Sequence, residues 1–268
     1  MLRLKGFVPK QEFKKCEICQ GSFDKNSMIR VANKYFCSNC VKYLNSYSRR
    51  NGESIATEKD KYFFGIELEF NEISEKLSAI LLYYKFLLCY DGSVGFGEFK
   101  SPKLGYSKFK YILGNIYKKM ESNSELHHRL VSSHIHFSYK DSNNTYNLLD
   151  KWDSIKRYFS IKKSKFVSAI NRNYKLFGRG FTSYAGLSDP SERYFFIQNS
   201  RGRTLEFRLC KVTNYIQFKY ITRFIITFCN TLLKLDYSSS EKLYKSFDSK
   251  IAKIYKHYNE KYITERGL

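Results

Sequence analysis

The sequence contains no run approaching the ~20 uncharged apolar residues that a helix needs to cross a bilayer. Its first residues, MLRLKGFVPKQEFKK, also lack the apolar core of a secretory leader. No membrane or export signal is therefore predicted, and the expected location is cytoplasmic. Both glycine-rich phosphate loops are missing: there is no G-x4-G-K-[ST], and no G-x-G-x-x-G opening a helix. The nearest glycine-rich piece, GFGEF, leads into a strand. P-loop nucleotide chemistry and dinucleotide-binding βαβ units are thereby excluded. No repeat recurs at solenoid or propeller spacing. Acidic residues are scarce, 25 Asp plus Glu against 47 Lys plus Arg, for a net charge of +22. That excess attracts a polyanion: nucleic acid, nucleotide, an acidic peptide or polymer, or an anionic membrane surface. Because the basic residues are spread along the whole chain, charge does not choose among these partners, nor between them and a simply solvated surface.

What is abundant is apolar and aromatic material, 43% and 18%, with 23 Tyr and 23 Phe in 268 residues. This length suits one main core plus a mini-domain, and the composition excludes a disordered chain. The seven cysteines divide into two close pairs and three singles, Cys89, Cys210 and Cys229. Such usage fits a reducing compartment better than a disulfide framework.

The paired cysteines run Cys16-x2-Cys19, seventeen residues, Cys37-x2-Cys40. Both sulfurs of a pair at that spacing reach one ion, and four thiolates close a tetrahedron with no position left for substrate. Residues 1–45 are therefore expected to form a zinc-ribbon or treble-clef module around a structural Zn2+. Whether it recruits a partner through Lys14, Lys15, Lys25, Arg30, Lys34 and Lys42, or only packs on the rest, stays open. Residues 46–60 are polar and aperiodic and read as a linker, leaving 61–268 as the main domain.

In that domain YFFGIELEF alternates as a strand, so Glu67 and Glu69 share the face opposite Phe64, Ile66, Leu68 and Phe70. The spacing predicts a helix over 73–86, a short strand over 87–90, a turn in DGSVGFG and a strand at GEFKS. A second helix over 106–120 follows, then a strand, LVSSHIHFSY, that puts His134 and His136 on one face. A helix is expected over 144–163 and irregular structure over 165–192. Beyond these, RYFFIQN and RTLEFRLC form a hairpin in which Thr204, Glu206 and Arg208 face together, and helices span 214–235 and 239–263. Singly, each polar pair reads as a solvated face or a salt bridge. Together, Glu67, Glu69, Asp91, Glu98, His134, His136, Glu206 and Arg208 concentrate acids and imidazoles that repel one another unless cations lie between them. Two or three hard divalent cations on such a set make a phosphate-handling centre.

The order FFGIELEF, DGSVGFGEFKSPKL, HIH and RYFFIQNSRGRTLEFRL resembles the amidoligase family of the glutamine synthetase and glutamate-cysteine ligase superfamily, over about residues 62–212. The resemblance implies an α+β fold, a curved antiparallel sheet of glutamine-synthetase catalytic type with helices on one face. It implies ATP and Mg2+ or Mn2+ as cofactors, and a carboxylate-amine ligase working through an acyl phosphate. The irregular basic stretch 162–179 reads as a candidate substrate loop whose charge favours an acidic peptide or protein. By position Glu67, Glu69, Glu98, His134 and Glu206 match metal and nucleotide ligands, His136 lies near the nucleotide, and Arg208 and Arg203 neutralise the transferred phosphate. Asp91 would position or deprotonate the amine, unless it only stabilises its turn. The Ser132-Ser133 lead into the histidine strand, and the absence of the ring-forming domain of glutamine synthetases, set this chain apart from enzymes acting on free glutamate. The alternatives from other classes are a basic, zinc-containing nucleic-acid-binding protein and a metal-dependent nuclease.

Overall fold

The computed structural model describes residues 12–16, 20–31, 34–38, 59–89, 97–181, 185–187, 195–236 and 238–268. The protein is mixed α+β. Among the described residues it has six α-helices and a seven-stranded antiparallel sheet, preceded by two short hairpins.

The sheet grows from two long strands, β5 (Tyr62–Ile73) and β9 (His128–Tyr139), paired antiparallel along their whole length. β7 (Gly97–Lys100) flanks β5, with β6 (Leu87–Cys89) outside it. β11 (Thr204–Phe207) flanks β9, with β10 (Ile197–Ser200) outside that. β8 (Leu104–Gly105) pairs with the start of β5. Strict alternation puts Phe64, Ile66, Leu68 and Phe70 of β5, Ile135 and Phe137 of β9, Phe99 of β7 and Leu205 and Phe207 of β11 on one face, all essentially buried.

Helices cover this apolar face. They are α1 (Glu75–Tyr83), α2 (Tyr106–Ser122), α3 (Ser142–Ile161), α4 (Lys165–Arg172), α5 (Tyr215–Lys234) and α6 (Ser240–Arg266). Phe64 stacks on Phe109 of α2 with ring centroids 4.8 Å apart, and Phe207 meets Phe228 of α5 edge-on at 5.3 Å. Trp152 of α3 lies against Phe228, its indole N–H donating to the Ile197 carbonyl at 3.0 Å. α4 and α6 form a further layer behind α5, where Phe166 meets Phe224 and Tyr255. Each buried ring removes 150–250 Å² from water, so this aromatic interleaf is the main source of stability.

Local sequence fixes most helix ends. Ser74, Ser164, Asn214 and Ser239 each accept a backbone N–H of the first turn, and α6 ends at Gly267 in the left-handed conformation with φ 67°. The 165–192 segment departs from the irregular structure expected of it. Lys165–Arg172 is helix α4, because Ser164 caps it, Asp248 of α6 accepts from Lys165 N at 2.8 Å and Phe166 N at 3.0 Å, and Phe166, Val167, Ala169 and Ile170 are buried. The basic stretch 162–179 is thus anchored at its centre rather than free to act wholly as a substrate loop.

In the N-terminal unit, β1 (Phe13–Lys15) pairs with β2 (Ser22–Asp24), and β3 (Met28–Val31) with β4 (Lys34–Cys37). β3 packs against α1, and Phe36 joins the main core. The predicted linker falls almost wholly outside the described residues. Asp60 at its end is buried and accepts the Ser107 N–H at 3.0 Å near the start of α2, so it belongs to the domain.

Candidate functional site

The polar face of the sheet is assembled by register. On one row Lys100, Glu67 and His134 are cross-strand neighbours; on the next, Glu98, Glu69 and Ser132; on a third, Gly65, His136, Glu206 and Gln198. Side chains opposite one another in an antiparallel pair stand ~5 Å apart, so the acids, histidines and lysine of β5, β7, β9 and β11 meet, with Gln198 of β10 at the edge.

His134 is the hub. Its Nδ1 lies 3.4 Å from Glu67 Oε2 and 3.5 Å from Glu206 Oε1, and its Nε2 lies 3.6 Å from Glu69 Oε1 and 3.2 Å from Ser132 Oγ. Ser132 donates a short hydrogen bond to Glu69. Lys100 Nζ bridges Glu67 Oε1 and Glu98 Oε2, 2.9 Å from each. His136 Nδ1 pairs with Thr204 Oγ1 at 3.0 Å, which fixes its ring. Its Nε2 is buried and makes no hydrogen bond; its nearest anionic neighbour is Glu67 Oε1, an ion-pair contact at 3.5 Å. Arg208 leaves the end of β11, yet its guanidinium turns back to Glu206 Oε1 at 2.5 Å.

Burial magnifies these charges. Glu98 and Glu206 are each only 6% exposed and His134 3%. Burial, reinforced by the Glu67 charge, pushes the Glu98 carboxyl up to about 8. Burial also opposes ionisation of Glu67, but His134, His136 and Lys100 outweigh it and hold Glu67 well below the usual carboxylate range. Burial would likewise discharge Lys100 and His136; Glu67 and Glu98 raise the lysine, and Glu67 raises the histidine. The set is strained electrostatically: burial and the neighbouring Glu67 charge together outweigh the Lys100 ammonium and favour the neutral Glu98 carboxyl.

Donor atoms of Glu67, His136 and Glu206 lie within 4.8 Å of one another, as do those of Glu67, Glu98 and His134. Carboxylate oxygens and imidazole nitrogens suit Mg2+ or Mn2+, and His136 Nε2, buried without a hydrogen bond, is the kind of atom a bound ion would satisfy.

Of the residues predicted from sequence, Glu67, Glu69, Glu98, His134, His136, Glu206 and Arg208 come together on this face. Arg203 does not join their contacts: it is exposed in the tight turn between β10 and β11, where its N–H donates to the Ser200 carbonyl at 3.1 Å. Asp91 lies outside the described residues. Sequence reasoning missed Lys100 and Ser132, although strand parity with Glu98 and His134 carried the signal. It also missed Arg179, which had no local signal. Gly178 places Arg179 here: with φ 79°, a Cβ on Gly178 would fall 2.2 Å from the Lys211 carbonyl oxygen. The Arg179 guanidinium donates to the Arg208 carbonyl, its Nε is buried without a hydrogen-bond partner, and burial lowers its pKa against the opposing charges of Cys210 and Glu69.

In the N-terminal unit Cys16 and Cys37 are buried, 0% and 3% exposed, and the Cys37 N–H donates to Cys16 Sγ at 3.3 Å. The Cys16 N–H is tied to the Gly21 carbonyl, and Gln20 takes a left-handed φ of 59° to close the turn. Cys19 and Cys40 lie outside the described residues. A separate cleft lined by Asp60, Lys61, Tyr62, Tyr139, Lys140, Asp141 and Asn144 sits at the other ends of β5 and β9 and contains none of the clustered acids. Among the described residues no helix is long and apolar enough to cross a membrane. Neither a model of any known protein family nor any curated protein matches the chain.

Proposed function

We propose that this protein is an ATP-dependent, divalent-cation-dependent ligase that joins a carboxylate to an amine, in the manner of the amidoligases its motifs resemble. The observation that carries this reading is the convergence of four carboxylates from β5, β7 and β11 around His134 on one sheet face, with two arginines beside them. Such a face repels phosphate unless cations bind, and with cations it grips phosphate well. Glu67, Glu69, Glu98, His134, His136 and Glu206 would hold Mg2+ or Mn2+, which when bound neutralises charge on the phosphate oxygens.

The chain's own residues then do the following. The substrate carboxylate attacks the γ-phosphorus of ATP, releasing ADP and forming an acyl phosphate; the amine attacks the acyl carbon and expels phosphate. Arg208, oriented by Glu206, and Arg179, held through the Arg208 carbonyl, point guanidinium donors at the transferred phosphoryl group. Holding both substrates on one rigid sheet supplies the orientation. Asp91 is proposed to position or deprotonate the amine. The surplus of 22 positive charges favours an acidic peptide or protein as the carboxylate substrate.

Cys16, Cys19, Cys37 and Cys40 are proposed to hold a structural Zn2+. The buried sulfur of Cys16, met by a backbone N–H, suits a metal-bound thiolate, and a cytoplasmic location follows from the same cysteine usage. The test of the ligase reading is hydroxylamine trapping: protein, ATP, Mn2+ and glutamyl or aspartyl peptides should yield a peptide hydroxamate and ADP. Cation-dependent cleavage of DNA or RNA with no hydroxamate would instead make the protein a nuclease.

A further inference from the structure

The acid cluster already contains a cation of its own. Lys100 Nζ bonds Glu67 Oε1 and Glu98 Oε2 at 2.9 Å each, and these carboxylates supply two of the three donors of the Glu67–Glu98–His134 group. The contact is built into the fold. Lys100 stands directly across from Glu67 in the β5–β7 register and two residues beyond Glu98 on its own strand, so both acids flank the same ammonium. The second group, Glu67–His136–Glu206, contains no lysine, and there His136 Nε2 is buried without a hydrogen bond.

We propose that Lys100 is a permanent substitute for one divalent cation, so that the Glu67–Glu98 side is held by its ammonium and a single exchangeable Mg2+ or Mn2+ enters on the Glu67–His136–Glu206 side. Charge supports the count. With all four carboxylates ionised around a bound cation, the Lys100 ammonium and the Arg208 guanidinium that pair with them leave two negative charges, which one divalent ion balances and a second would overcompensate. An ammonium is a compact point charge that can neutralise and orient carboxylates, but it offers no open coordination position, so phosphate oxygens are gripped from the exchangeable side alone.

This inference rests on the cation-binding part of the proposed function and not on the ligation chemistry. The probe is Mn2+ alone, counted by electron paramagnetic resonance in titrations of the full chain, with thermal melts to confirm folding. The wild-type chain should bind one Mn2+, lost at least tenfold in affinity in Glu206→Gln. Lys100→Met should bind two, and Lys100→Arg, which keeps a positive charge, should stay at one. If Lys100→Met does not fold, Lys100→Gln takes its place. Two Mn2+ ions on the wild-type chain, or one on the folded neutral variant, would overturn the inference. No uptake by the wild type would overturn the inference and the cation-binding reading together. The expected counts without any hydroxamate product would uphold it while removing the ligase chemistry.

Discussion

The two faces of the central sheet are made by the same strands and obey opposite rules. On one face Phe64, Ile66, Leu68, Phe70, Ile135 and Phe137 bury hydrocarbon against helices. On the other, one residue out of step, Glu67, Glu69, His134, His136 and Glu206 crowd charges that would be more stable apart. The first face contributes stability and tolerates polarity badly. The second stores electrostatic tension, shown by a carboxyl of Glu98 raised to about 8 beside a Glu67 held low. Alternation lets one segment serve both ends, since a substitution at position i need not disturb the face at i+1.

The sharpest way to break this comparison is Phe137→Ala. Phe137 is fully buried between Phe64, Tyr62 and Tyr139, so its loss should cost about 3–5 kcal/mol in denaturant unfolding. A loss under about 1 kcal/mol would mean the core is not packed as described. Glu206→Gln, on the other face, should lower hydroxamate formation by about 10²–10³-fold while moving the melting temperature little; unchanged activity would remove Glu206 from the site.

A third change lies off both faces. Asp248→Ala strips the N-terminus of α4 of bonds to Ser164 Oγ at 2.6 Å, Lys165 N and Phe166 N, and should cost about 1–3 kcal/mol without altering Mn2+ binding. Loss of binding would show that α4 supports the site.

The fourth prediction concerns pH. Glu98 has a folded pKa raised above its unfolded value of about 4.5, so the folded state holds the proton longer. Its contribution to stability is therefore intact below that unfolded value and is lost as pH rises toward 8. Glu98→Gln should flatten this decline in metal-free protein, and thermal melts at pH 5 and 8 measure it; an unchanged slope would relieve Glu98 of the role. The smallest effect belongs to the surface: Lys76→Ala removes an exposed pair with Glu125 and should shift the melting temperature by less than about 1 °C.

Much of this was legible along the chain. β5, β9 and the β10–β11 hairpin announce themselves by alternation, α2 by helical spacing, and α5 and α6 by spacing and caps, because these are local signals. α4 was not read as a helix, since its eight residues, only about two turns long, sit within a stretch rich in Asn, Gly, Ser and Arg, although Ser164 and the spacing of Phe166, Val167, Ala169 and Ile170 carried a signal; its start is further secured by Asp248, about 80 residues away. Arg203 and Arg179 exchanged expectations for a similar reason. A turn residue beside the acid strand looked near the site, while the arginine that lies there is brought in by Gly178 folding against Lys211.

The sequence by itself determined which residues share a face, because a strand turns each side chain 180° from the last whatever it pairs with. Only the tertiary structure decided which acids meet: that Glu67 lies between Lys100 and His134, that Glu206 reaches the same imidazole, and that the Lys100 ammonium bridges Glu67 and Glu98. Register between strands this far apart in sequence, 33 residues from Glu67 to Lys100 and 67 from Glu67 to His134, is set by the packing of the whole aromatic core, and no local pattern encodes it.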